Sequence, residues 1–424
     1  MTTLGPDLLL RWLNWGIEAL WISAVVLVPL AFLDRQYSIS EAVIAYVEVP
    51  KVTLLRSLAM LIAIFWLLEW AIINRSKPFL PLLTNVRQFQ PGSLFPKIIG
   101  WLRAEPSRWL WLAVWFYFAT VLLGTIFSAA FSVSLWGEIP GQDGYSSYTI
   151  MAYAILFGAI ATHLKNGGQL WRLIGAIVAM GVLVGSYAVL QKSGHDFLNL
   201  LEFTGGSQQY RVTGTMGNAI FAAAVMSMTI PCSLLAAAAS LRHWGKSGPE
   251  SASNLRKWLP VVAVAGAWIL ILMIQLLGVT FTFSRGPWMG TILALVATSG
   301  LTAVFAGWSA LGRISLLLAV AAGTTLAVAQ WDIAISNILL WLGSGLSLVG
   351  LTAVVALVGW RRFGQISLVL GLAAFVMAAV LLMPSWFDKG LISVDSQIAA
   401  DTNDSSFKNT ATIQRFSSIK GDIS

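Results

Sequence analysis

The stretch WLWLAVWFYFATVLLGTIFSAAF, Trp109 to Phe131, runs for 23 residues without a charged side chain. As an α-helix rising about 1.5 Å per residue it covers more than the ~30 Å hydrocarbon core of a bilayer. It shows no alternation of polar and apolar positions and has no face to offer water, so it reads as a membrane span. Runs of the same character lie on both sides of it. Before it come Trp12 to Leu33 and Val52 to Ile73; after it come Thr149 to Leu164, Leu173 to Leu190, Met216 to Leu241, Trp258 to Leu277, Pro287 to Ala306, Ile314 to Gln330, Ile338 to Trp360 and Ile366 to Met383. The predicted fold class is an all-α polytopic integral membrane protein of eleven transmembrane helices.

The whole 424-residue composition agrees. Hydrophobic residues make up 57% and charged residues 10%, with a mean hydropathy of +0.78. A soluble domain carries about 25% charged residues, enough to cover its surface, so a soluble enzyme is excluded. The single Cys, Cys232, excludes a disulfide scaffold, and three scattered His give no basis for a metal site or other cofactor.

The net charge of +8 is explained by where the basic residues fall. Loops after the even-numbered spans hold Arg75, Lys77, Arg87, Lys97, Arg103 and Arg108, then Lys165 and Arg172, Arg242 and Lys246, Arg256 and Lys257, and Arg361 and Arg362. Loops after the odd-numbered spans hold most of the acids: Asp34, Glu41, Glu48, Glu138, Asp143, Asp196, Glu202 and Asp332. The positive-inside rule then puts the amino terminus in the cytoplasm. The charge anchors the chain to membrane lipid, and nucleic acid is not needed as a partner. No cleavable signal is evident in the first run. Trp12, Trp66, Trp70, Trp109, Trp111, Trp258 and Trp360 fall near span ends, as an aromatic belt does. The organisation expected is residues 1–108 as leading helices with a basic loop, 109–383 as a membrane core, and 384–424 as the start of an external loop or domain that is cut off.

Four stretches on the outward side carry candidate chemistry. Thr282-Phe283-Ser284-Arg285-Gly286, followed by Pro287 and Gly290, joins two spans with almost no loop. Gly286 permits a tight turn or close backbone approach, and Pro287 suits a first helical position. The helix start beside the guanidinium makes an anion site suited to phosphate; the competing reading pairs Arg285 with Asp332 or a lipid headgroup. Arg211-Val212-Thr213-Gly214-Thr215-Met216-Gly217-Asn218 repeats this design at another helix start, against the reading of an ordinary turn. Two such sites on one face suit two adjacent phosphates. Gln191-Lys192-Ser193-Gly194-His195-Asp196 offers His195 as a weak candidate base, although neighbours in a turn usually point apart. Ser134-Leu135-Trp136-Gly137, continuing through Gln142 to Gly144, offers Trp136 as a sugar-stacking surface or an interface anchor. Glu18 and Glu69 lie within spans: Glu69 is close enough to an end to snorkel, and Arg11 or Arg56 is the partner expected for Glu18.

In this order the four stretches resemble the O-antigen ligase and polymerase family of bacterial envelope proteins, over most of the chain from about Trp109. The family's T-x-S-R-G-x-x-x-G signature matches Thr282 to Gly290, and R-x-x-G-T-x-G-N matches Arg211 to Asn218. The Ser-x-Trp-Gly stretch from Ser134 and the Leu-Gln-x-x-Gly-x-Asp stretch from Leu190 match too. The resemblance implies a glycosyltransferase C-like ligase architecture in the bacterial inner membrane, working at the periplasmic face. It implies a metal-independent inverting transferase that takes a glycan from undecaprenyl diphosphate. The acceptor would be a hydroxyl on lipid A core, another glycan or a protein. It assigns the diphosphate to Arg211 and Arg285, with Ser284, Gly286, Thr215, Gly217, Asn218 and Trp136 in support. The family's general base is a histidine in a later periplasmic loop, and no histidine follows His243, so that base is expected beyond Ser424. Ala219-Ile220 stands where Pro-Asn is frequent, and Gly141 where many members have arginine. Two alternatives stay open: a carrier of an inorganic anion such as bicarbonate, and a non-catalytic protein that holds a lipid-linked sugar.

Overall fold

A computed structural model describes residues 6–33, 47–74, 99–137 (except 101 and 106), 143–198, 211–241, 255–329 and 359–373 (except 371). The described residues form helices and no strand. In chain order they are α1 (Pro6–Leu30), α2 (Val49–Ile73), α3 (Ser107–Ile126), the short α4 (Phe131–Trp136), α5 (Ser147–His163), α6 (Gly167–Lys192), α7 (Ala219–Ser240), α8 (Leu255–Phe281), α9 (Arg285–Phe305) and α10 (Trp308–Ala329), with a further helix at 359–370. Eight of them are long and apolar enough to cross a membrane, and α5, at 17 residues, is shorter. The predicted spans Ile338 to Trp360 and Ile366 to Met383 fall largely outside the described residues, and the tail from 384 falls wholly outside.

Several boundaries differ from the hydropathy reading, each for a local reason. Helix α6 begins at Gly167 rather than Leu173 because Asn166 and Gln169 form a reciprocal capping box. Helix α3 stops at Ile126, before Phe131, and the Ser128 hydroxyl accepts the Ala130 N–H in the turn that follows. Arg361 and Arg362 do not lie in a loop but in the first turn of the 359–370 helix.

Helices α1 and α2 form an antiparallel pair against α5, with Ile17, Trp21, Ile62 and Ala159 fully buried between them. A second core joins α6 to α10 around Val184, Met226, Ile230, Leu234, Leu272 and Leu311. Lipid is as apolar as leucine, so close packing rather than expulsion from water must hold such helices together, and small residues make that possible. Gly181 admits the Thr229 side chain, and Gly278 admits Met226. A Cβ on Gly312 would stand 2.3 Å from the Trp360 carbonyl oxygen, and one on Gly364 would stand 2.3 Å from that of Trp308. Both contacts run from a glycine to a residue one turn nearer the start of the opposite helix, so α10 and the 359–370 helix cross in parallel. The Ser315–Ser367 hydroxyl bond of 2.9 Å continues the seam. Gly312→Ala is expected to destabilise by about 1–3 kcal/mol through overpacking, read as a lower thermal midpoint in detergent.

The helices alternate in direction, so their ends gather at two poles. At one pole the Lys51 ammonium at the start of α2 donates to the Pro29 and Ala31 carbonyls closing α1. There too, Arg56 donates to Ser146 and Thr149 at the start of α5. At the opposite pole Glu69, near the end of α2, meets His163 at the end of α5.

Candidate functional site

Three of the four sequence stretches converge at the first pole. Arg211 reaches across 73 residues of sequence: its Nη2 donates to Ser284 Oγ at 2.8 Å and its Nε to the Thr282 carbonyl at 2.9 Å. The main chain supports this contact, with the Val212 N–H donating to the Phe281 carbonyl at 3.3 Å. A guanidinium carries five donors in a rigid fork, so these bonds fix its plane and leave donors for another group.

Gln191 joins the third stretch to the second. Fully buried, it accepts the N–H groups of Thr213 (3.2 Å) and Gly214 (2.8 Å) on Oε1. Its Nε2 donates to Asp196 Oδ1 at 3.0 Å, and the Tyr187 hydroxyl donates to the same oxygen. The chain then makes a 3-10 turn over Gly214–Met216, with Gly214 and Gly217 at positive φ (55° and 66°), where a Cβ would be strained. Asn218 caps α7 by accepting the Ile220 N–H at 2.8 Å. Thr215 donates to the Pro29 carbonyl at 2.8 Å, tying the turn to the end of α1.

Arg285 is the first residue of α9, is exposed, and has no hydrogen-bond or ion-pair partner among the described residues. Ser284, at the cap position, does not bond the helix N–H groups through its side chain, because its hydroxyl receives Arg211. The first turn of α9, which Arg285 opens, therefore keeps its amide groups and positive dipole end beside the Arg211 guanidinium. Gly286 makes no close protein contact: a Cβ there would meet nothing within 4 Å. Pro287 is third in the helix rather than first, still within the turn where a missing N–H costs nothing. Phe283 adopts φ 49°, a left-handed conformation costly for a bulky residue. The Lys192 ammonium lies 5.5 Å from the centre of the Phe283 ring and 5.8 Å from that of Phe281, adding a third cation to this corner.

His195 is exposed, 3.4 Å from the Ser193 hydroxyl, while the Asp196 carboxylate turns to Tyr187 and Gln191. The two neighbours thus point apart. Trp136 sits elsewhere at this pole, at the end of α4; it is 54% exposed, stands edge-on to Tyr148 at 5.5 Å, and its carbonyl accepts from Arg56. A cavity of about 510 Å³ opens between α1, α2, the start of α5 and α7, and Gly217 and Asn218 form part of its wall. Asp332, the alternative partner for Arg285, and Gln142 lie outside the described residues.

The acids within helices are paired in ways the sequence reading did not foresee. Glu18 meets neither Arg11 nor Arg56. It accepts from Arg172 Nε at 2.6 Å and Gln169 Nε2 at 3.2 Å, because α6 starts against α1. Glu69 does not snorkel; it is 7% exposed, 2.6 Å from His163 Nε2, and accepts from Asn14. The roles of Gln191, Lys51 and His163 also escaped the sequence reading, since each depends on a partner at least 20 residues away. Among the described residues no three His, Cys, Asp or Glu side chains gather as a metal site would need.

Gln191→Leu is expected to strand the Thr213 and Gly214 amides, each buried unmade bond costing about 1–3 kcal/mol. Faster hydrogen exchange at those two amides checks this. Comparison with protein-family models, with curated proteins and with solved structures gives no match.

Proposed function

We propose that this protein transfers or polymerises a glycan from undecaprenyl diphosphate onto a hydroxyl of lipid A core, another glycan or a protein. In this reading it has eleven spans and a ligase-like architecture, and works at the periplasmic face of a bacterial inner membrane. The observation that carries the proposal is the bond from Arg211 to Ser284, which brings that guanidinium to the uncapped start of α9, where Arg285 is the first residue. Paired arginines and free helix amides suit a diphosphate in charge and in geometry. Such groups act most strongly where charge develops as the diphosphate leaves. A glycine with open space beside it lets that group approach the backbone.

The test uses the full chain in lipid nanodiscs, with undecaprenyl diphosphate as the binding probe, together with membrane vesicles from the producing cell. Saturable binding and glycan transfer in vesicles support the reading. Binding without transfer would instead indicate a holder of lipid-linked sugars. Bicarbonate uptake with neither binding nor transfer would indicate an anion carrier.

A further inference from the structure

Arg211 can serve a diphosphate only where the main chain puts it, so whatever holds that chain is part of the site. Three consecutive main-chain N–H groups follow Arg211, those of Val212, Thr213 and Gly214. The first goes to the Phe281 carbonyl at 3.3 Å, and the other two go to Gln191 Oε1 at 3.2 and 2.8 Å. Gln191 therefore holds two of the three, from a residue that is 1% exposed. On the far side of this anchor the guanidinium itself is fixed to Thr282 and Ser284.

The end of α6 is built to present that oxygen. Gly194, at φ 88°, donates its N–H to the Gln191 carbonyl at 3.1 Å, and the His195 N–H goes to the Leu190 carbonyl at 2.9 Å. These two bonds around a left-handed glycine close the helix in a Schellman turn. The turn folds the chain back, so Asp196 meets Tyr187 and Gln191, nine and five residues earlier. An ionised carboxylate only accepts and a main-chain N–H only donates. Gln191 thus fits between Asp196 and the two amides in one sense: Nε2 toward Asp196 and Oε1 toward Thr213 and Gly214. Reversed, its NH₂ would face two donors. Tyr187 steadies the carboxylate, since its hydroxyl donates to Asp196 Oδ1 and accepts the Leu198 N–H at 3.0 Å. The His195 ring turns to the Ser193 hydroxyl and takes no part in this chain of bonds.

We propose that Gln191 is a positioning residue of the diphosphate clamp, with its sense set by Asp196, and that it acts through Arg211 without touching substrate. The role rests on the transferase reading above. The stretch from Gln191 to Asp196 then serves the leaving group rather than the acceptor hydroxyl. Without Gln191 the chain after Arg211 loses two of those three bonds, and a group displaced by about 1 Å costs about 10²-fold in rate.

The test uses full-length protein, with undecaprenyl diphosphate as the binding probe in nanodiscs and glycan transfer per folded molecule in vesicles from the producing cell. Gln191→Leu is expected to lose about 10²-fold in transfer and about tenfold in binding, within the range for residues of one hydrogen-bond network. In an Arg211→Ala background it is expected to change binding no further. Gln191→Glu sets two carboxylates face to face and is expected to lose as much as Gln191→Leu. Adding Asp196→Asn to Gln191→Glu exchanges donor and acceptor across that contact, and is expected to recover most of the loss. That recovery decides the matter even where Gln191→Leu does not fold. Transfer and binding kept per folded molecule in Gln191→Leu, with a lower unfolding midpoint, would make Gln191 a support of the fold and overturn the proposal while leaving the transferase reading intact. Equal losses of binding in both backgrounds overturn action through Arg211. No recovery in the exchanged pair overturns the part given to Asp196. A wild type that neither binds the probe nor transfers glycan ends the transferase reading and this one with it.

Discussion

Arg211→Ala is expected to lower glycan transfer by about 10²–10³-fold, the loss seen when one donor aimed at developing charge is removed, and to lower stability as well. The two effects have separate causes. On the proposed transferase reading, transfer falls because a cation leaves the corner that would hold the diphosphate. Stability falls because Thr282 O and Ser284 Oγ lose a partner 71 and 73 residues away along the chain. Hydrogen bonds from a charged donor contribute about 1.5–3 kcal/mol. Arg211→Lys restores the charge but not the planar fork, so it is expected to recover only part of each. Arg285→Ala provides the contrast: exposed and without a described partner, it is expected to lose as much transfer with no change in unfolding midpoint. The pair of variants is checked by transfer in vesicles and by thermal unfolding in detergent. Full transfer in either variant removes that arginine from the clamp.

His163→Ala is expected to destabilise the fold by about 3–5 kcal/mol, the cost of stranding one partner of a buried ion pair. Nδ1 of His163 lies 3.0 Å from the Ala159 carbonyl, which can only accept, so this nitrogen carries a proton. Thr162 also contacts Nδ1, but its hydroxyl is donated to the Gly158 carbonyl. Nε2 is thereby left to face Glu69 Oε2 at 2.6 Å. Removing the imidazole takes away the partner of a carboxylate that is 7% exposed and leaves it, among the described residues, with Asn14 alone. Glu69→Gln, in contrast, can donate its amide to the neutral imidazole and is expected to cost about 1 kcal/mol. Replacing both residues by leucine is expected to cost less than His163→Ala alone, because no buried charge remains. Unfolding midpoints of the wild type and the three variants decide it. A loss in the double leucine variant as large as that of His163→Ala would show that ring packing against Trp21 and Trp66, rather than charge, is what His163 supplies.

Much of the fold was legible because membrane helices are set by local composition. The runs around α1, α2, α3, α5, α6, α7, α8, α9 and α10 stand out in the sequence, and most of the departures lie at their ends. Those ends moved for readable reasons. Hydropathy rejects Gln169 and Arg172 from a span, yet both sit in the first turns of α6 because Glu18 takes them up. At the site, the glycines at positive φ and the Asn218 cap follow from residue type alone. That Gln191 would fasten two amides on a turn 22 and 23 residues away does not.

By itself, then, the sequence determined that this chain is a helical membrane protein and that Arg211 and Arg285 stand in short glycine-bearing stretches beside its spans. Long apolar helices satisfy their own backbone groups within lipid, and glycine takes positive φ at the least cost; both are facts about neighbouring residues. The tertiary structure decided which polar groups meet: Arg211 with Ser284, Glu18 with Arg172, Glu69 with His163. The reason is that a polar group inside a bundle takes whatever partner packing brings within about 3 Å. Packing joins helices without regard to how far apart they lie along the chain.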